Sequence, residues 1–179
     1  MAYSSIGHMG YILAGLSTGT NAGVQSTIIY LVIYLLMNLA AFGCIFMMKR
    51  ENLYYEDINE LSGLSKNHPI LALSFLIILF SLAGIPPLAG FFAKFYIFMA
   101  VIEAGMYALA IIGLLTTVIS SFYYLRIIKI IYFDPPKEKY DQINYFGLKI
   151  TLFLSTLIIL LYFIYPSVLI NLVSKINII

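Results

Sequence analysis

The sequence predicts an all-α protein, a polytopic transmembrane bundle of about six helices with one of them discontinuous. Three observations predict it. Hydrophobic residues make up 62% of the 179-residue chain and charged residues only 10%, against roughly 25% charged in a soluble domain. The apolar runs are long and continuous, near the ~20 residues that span a bilayer, and lack the short alternation of barrel strands. Their interruptions are a few polar or Pro/Gly-rich breaks.

The first helix is expected over roughly Tyr3 to Thr18, short and rich in small residues, and the second over roughly Val24 to Met48. The third starts at Pro69 and runs to about Ala83; the fourth follows the "GIPP" break and ends near Glu103. The fifth covers roughly Met106 to Phe133 and the sixth roughly Tyr145 to Tyr165. Residues 1–179 read as a single membrane domain with polar connectors at 49–68 and 134–144. The first connector is long enough for a short surface helix, and the prolines of the second stop the helix before it. After Pro166, the tail "SVLINLVSKINII" suits the membrane interface better than a crossing.

Counting alternate connectors places Arg126, Lys129, Lys137, Lys139 and Lys149 on one side and Lys49, Arg50, Lys66 and Lys175 on the other. That balance gives no orientation by the positive-inside rule. The net charge of +2, with scattered basic residues, gives no case for nucleic acid. The opening "MAYSSIGHMGYILAGL" has no basic start and is not read as a signal peptide. Cys44, alone in an apolar run, reads as a small packed residue. Without a CxxC set or a phosphate loop, no cofactor or metal is expected, and no redox or catalytic centre.

Lys94, in "SLAGIPPLAGFFAKFYIF" (Ser81 to Phe98), is the leading candidate for function. With a helix starting near Pro87 it stands seven residues in, about 10 Å along the axis. A lysine there costs roughly 2.5–3.5 kcal/mol on insertion scales. A group that gains and loses a proton beside a wet cavity is what a relay needs; the bland alternative is a structural lysine paired with a carboxylate. The break next to it supports the relay. Pro86 and Pro87 remove backbone donors and Gly84 and Gly90 loosen the chain. Irregular backbone at membrane depth is tolerated only inside protein or against water. His8 is the second candidate. Ser4, Ser5 and Tyr11 share its helix face, so it is either a proton carrier or a packing histidine held by hydroxyls. Glu103, nine residues from Lys94 and off its face, is a weaker third; solvation is its bland reading. Arg126 reads as a snorkelling or paired residue, His68 as a loop residue, and Tyr123 and Tyr124 as interfacial anchors.

In order along the chain, "AYSSIGHMGYILAGL" (Ala2 to Leu16), "YLVIYLLMNLAAFGCI" (Tyr30 to Ile45), "LSGLSKNHPILAL" (Leu61 to Leu73), "FSLAGIPPLAGFFAKFYIF" (Phe80 to Phe98) and "SSFYYLRIIKIIYF" (Ser120 to Phe133) resemble the antiporter-like membrane subunits of respiratory complex I, NADH:ubiquinone oxidoreductase. Sister members and Mrp-type cation/proton antiporter subunits usually carry histidine or lysine in the segment matching Tyr30 to Phe42. This chain carries neither, which favours the subunit 2, or N-type, branch.

The resemblance implies a proton path coupled to quinone reduction elsewhere, with Lys94 as the key lysine of a discontinuous helix and His8 as a weaker carry-over. It implies an enzyme subunit without its own redox centre, and partners among the other membrane-arm subunits and lipids. The chain starts where a full member is past its middle, so it reads as the C-terminal half of a split subunit that assembles with an N-terminal half. The Trp-free composition suggests an organellar gene and a mitochondrial inner membrane, with a bacterial or other energy-transducing membrane as the alternative. A purely structural membrane spacer and an Mrp-type antiporter subunit are the rival functions.

Overall fold

The computed structural model describes residues 1–50, 53–54, 57–137, 140 and 146–176, with side chains 49–56 left aside. Eight α-helices are found among them: α1 (Ala2–Leu16), α2 (Asn21–Phe46), α3 (Leu64–Asn67), α4 (Pro69–Ala83), α5 (Ala89–Glu103), α6 (Tyr107–Phe133), α7 (Phe146–Leu161) and α8 (Pro166–Val173). A two-residue antiparallel pairing joins Lys49–Arg50 to Leu53–Tyr54. A turn of 3-10 helix (Ile58–Leu61) precedes α3. The two polar connectors are thus partly structured, while residues 51–52, 55–56, 138–139 and 141–145 lie outside the described chain.

Local chemistry sets most of these boundaries. The Thr20 hydroxyl caps α2 by accepting from the Gly23 amide at 3.1 Å. Pro69 occupies the first turn of α4, where its missing N–H costs nothing. The chain turns at Pro86 and Pro87, joined by a cis peptide bond, so α5 begins at Ala89, two residues later than the sequence suggests. Lys94 is therefore five residues into α5, about 7.5 Å along its axis.

The core is one apolar cluster threaded by α2, which packs against α1, α4, α5 and α7. By length and composition α2 and α6 can each cross a membrane alone. α7 and α8 qualify only as a pair, and they are bent by 90°.

The connectors correct the balanced charge count. The Gly63 amide donates to the Ile130 carbonyl at 3.1 Å, the Ser62 hydroxyl to the Pro135 carbonyl at 2.6 Å, and the Lys137 ammonium to Glu60 at 2.8 Å. A Cβ on Gly63 would run into Pro136. Both connectors therefore lie at one end of the bundle. α6 is ~40 Å long, so its start, and Glu103 just before it, lie at the other end. It follows that α4 and α5 together make a single passage, where the alternate-connector count took two. Lys66, Lys129 and Lys137 gather at the connector end. Lys149 joins them, lining a cleft there with Met47, His68 and Pro69. Lys175 is at the opposite end, where the Gln25 amide donates to the Ile176 carbonyl at 3.2 Å. The positive-inside rule then gives the connector end to the cytoplasmic face, or its organellar equivalent.

Candidate functional site

The end of α4 explains where Lys94 goes. Gly84 has a φ of +89°, the left-handed conformation that glycine adopts without strain. Its amide donates to Ser81 O at 3.0 Å, and the Ile85 amide to Phe80 O at 3.0 Å. This is the Schellman pattern, which satisfies two of the four carbonyls that a helix leaves open. The other two, Leu82 O and Ala83 O, accept from the Lys94 ammonium at 3.0 and 3.2 Å. The charge thus sits on the negative end of the α4 dipole. A Cβ on Gly84 would press on the Lys94 side chain, so the turn and the lysine fit one another.

α5 is locked beside this turn. The Gly90 amide donates to the Ser81 hydroxyl at 3.0 Å, and that hydroxyl donates to the Met37 sulfur at 3.1 Å. Any Cβ on Gly90 would overlap the Ser81 carbonyl. From α6, the Ser121 hydroxyl donates to Ala83 O at 3.4 Å, sharing the carbonyl with Lys94.

Lys94 is 5% exposed. Its ammonium lies 5.2 Å from the centre of the Tyr11 ring, a cation–π arrangement. Next to Tyr11 is His8, with ring centres 6.2 Å apart, edge to face. His8 is also buried. Its Nδ1 bonds the Tyr30 hydroxyl at 2.6 Å and its Nε2 the Tyr124 hydroxyl at 3.2 Å; its ring stacks on Tyr34 at 4.7 Å. The Ser4 hydroxyl bonds that of Tyr124 as well. The Tyr11 hydroxyl reaches Thr117 on α6 at 2.8 Å.

The structure brings Lys94 and His8 to one polar centre through Tyr11. It places Glu103 apart, exposed at the end of α5, about 14 Å from Lys94 by helical rise. No described contact joins Glu103 to this centre, so its inclusion with the other two rests on sequence alone. No cleft opens onto Lys94 among the described residues, but one lies next to its neighbour Tyr11. A cleft of about 170 Å³ between α1 and α6 is lined by Ser4, His8, Tyr11, Thr116, Ser120 and Tyr124. That is room for several water molecules, and it ends at Tyr11 and His8 without reaching Lys94.

Sequence reasoning missed two tyrosines. Tyr124 is 1% exposed and holds His8, so it is not an interfacial anchor. Tyr30 is wholly buried against the other nitrogen of His8. The available signal was spacing on α6. Thr117, Ser121 and Tyr124 recur at i, i+4 and i+7, which draws one hydroxyl stripe along that helix. Among the described residues no group of three or more metal-ligating side chains occurs.

A bundle with a broken passage, a lysine buried on the broken helix's carbonyls and a histidine–tyrosine cluster beside it defines an antiporter-like membrane protein. A family model described as NADH:quinone oxidoreductase/Mrp antiporter, TM, matches residues 1–120. The chain belongs to that family. It is 70% identical over all its 179 residues to the NADH-quinone oxidoreductase subunit N of Pelagibacter ubique, covering 38% of that protein. It is 48% identical over 171 residues to the subunit N of Rhodospirillum rubrum, covering 96% of this chain and 35% of the relative. The chain thus spans little more than a third of the curated relatives it matches. A chain of the respiratory complex I from Thermus thermophilus superposes with a TM-score of 0.82 at 29% identity, over 95% of this chain and 38% of that one. A chain of the Mrp complex from Dietzia has the same fold, with a TM-score of 0.81 at 21% identity over 94% and 40%.

Proposed function

We propose that this chain is the C-terminal part of an N-type membrane subunit of a respiratory NADH:quinone oxidoreductase, and that Lys94 carries a proton on a path coupled to quinone reduction elsewhere in the complex. The likeness to subunit N over the whole chain supports the assignment. On this reading the chain holds no redox centre and serves the enzyme as a proton-moving subunit. Its partners are the remainder of the subunit, as an N-terminal half, and the other membrane-arm subunits. The relatives named are bacterial, which favours a bacterial energy-transducing membrane over the mitochondrial inner membrane expected from composition.

One observation carries the proton role: the Lys94 ammonium is held by two backbone carbonyls and a tyrosine face. The structural-spacer rival requires a carboxylate partner. A buried ion pair fixes both charges, since neutralising one strands the other. Neutral carbonyls strand nothing when the lysine gives up its proton. The Mrp rival shares the family model and a fold at 21% identity, whereas the relatives at 70% and 48% identity carry the name subunit N.

Lys94→Ala in the assembled enzyme should remove most proton translocation per electron while leaving electron transfer from NADH to quinone measurable with an uncoupler. Unchanged pumping per electron in vesicles would sink the proposal.

A further inference from the structure

We propose that α8 is an in-plane interfacial helix, seated among the phospholipid headgroups at the end of the bundle opposite the basic connectors. The geometry starts at the bend. After Leu161 the chain turns at 162–165 and α8 leaves at 90° to α7. The end of the bundle is set by the Gln25–Ile176 bond, which ties the tail beyond α8 to the first turns of α2.

The eight residues of α8 divide into three flanks of an α-helix. Leu169, Ile170 and Val173 turn inward, with Val173 buried in the core. Val168 and Leu172, one turn apart, stand 59% and 61% exposed. Ser167, Asn171 and, just past the helix, Ser174 form a separate exposed polar stripe. A helix crossing a bilayer has no use for a polar stripe facing outward, and a helix in water has none for an exposed apolar one. A level where hydrocarbon and water meet accommodates both stripes at once.

Continuity names the occupant. The apolar flank runs on from the exposed outer face of α7, with Leu154, Leu157, Ile158 and Leu161, and Leu157, Ile158 and Leu161 share one apolar cleft with Val168 and Leu172, a surface suited to acyl chains. Tyr165 stands 71% exposed at the bend, a residue type enriched at the headgroup level. Lys175, exposed in the turn after α8, is a residue type whose long side chain reaches to the headgroup level. The site therefore takes bilayer phospholipid.

The test uses the whole complex in its native membrane. Photoreactive benzoylphenylalanine is placed at Val168, Leu172, Asn171 or Ser174 in separate variants, illuminated, and the adducts are identified by mass. Phospholipid adducts at 168 and 172, several-fold more abundant than at 171 and 174, are expected. Protein adducts at 168 and 172 would mean that a neighbouring subunit covers the flank, and would overturn the proposal. Equal lipid adducts at all four positions would also overturn it, because the helix would then be submerged. A second measurement needs no photochemistry: Asn171→Cys should react with a membrane-impermeant thiol reagent several-fold faster than Val168→Cys, and equal rates count against the proposal.

Discussion

Lys94 and His8 inside the bundle and Lys137 and His68 at its connector end form two groups that are held in opposite ways. Lys137 has a carboxylate partner, Glu60 at 2.8 Å, and both side chains keep contact with solvent, at 43% and 20% exposure. His68 accepts from the Tyr140 amide at 3.1 Å. Lys94 has no such latitude. Its ammonium is satisfied by Leu82 O, Ala83 O and the Tyr11 face, and His8 by two tyrosine hydroxyls. Where water is near, a cation can take a carboxylate cheaply, and the pair is worth about 0–1 kcal/mol. In the bundle the same charge is held by backbone dipoles that a helix end leaves open. The outer ion pair fastens two connectors, whereas the inner lysine rests on the end of α4 and the face of Tyr11.

The largest effect should come from breaking the frame around the inner group. Gly90→Ala forces a methyl group into the Ser81 backbone, costing about 1–3 kcal/mol as overpacking does. Thermal stability of the purified complex and its yield report the loss. Tyr124→Phe is next. It removes the hydroxyl shared by His8 and Ser4 and leaves buried polar atoms unpaired, at about 1–3 kcal/mol. If His8 takes part in the path, pumping per electron falls more than quinone reductase activity does; equal falls would make the cluster structural. Lys137→Met should cost under ~1 kcal/mol and leave pumping intact. A pumping defect there would erase the contrast between the two groups. Their placement is checked by labelling. Lys66→Cys and Ser17→Cys, exposed at opposite ends, should react with an impermeant reagent from opposite faces of sealed vesicles, Lys66→Cys from the cytoplasmic one.

Much of the framework is legible locally. The run Pro69 to Ala83 is continuous and apolar, begins with a proline suited to a first turn and stops at a glycine suited to a left-handed cap, and the helix has those bounds. Lys94 stands out because a lone charge in oil has few harmless explanations. The partners of these residues are another matter. His8 meets Tyr30 across 22 positions and Tyr124 across 116, and no local pattern encodes such separations. Tyr124 read as an anchor because tyrosines near a helix end commonly are; its burial depends on how α6 crosses α1. The orientation failed for a similar reason. Two apolar segments of 15 residues each look like two crossings, and only packing shows that α4 and α5 share one.

The sequence by itself determined the helices, their breaks and the one lysine buried among apolar residues, because hydrophobic length, proline and glycine act within a few residues of where they stand. Tertiary structure decided that both connectors lie at one end and that His8 is wrapped by two tyrosines. It also decided that Lys94 rests on the carbonyls closing α4. Those outcomes depend on which helix faces meet, and that is set by packing the whole bundle at once.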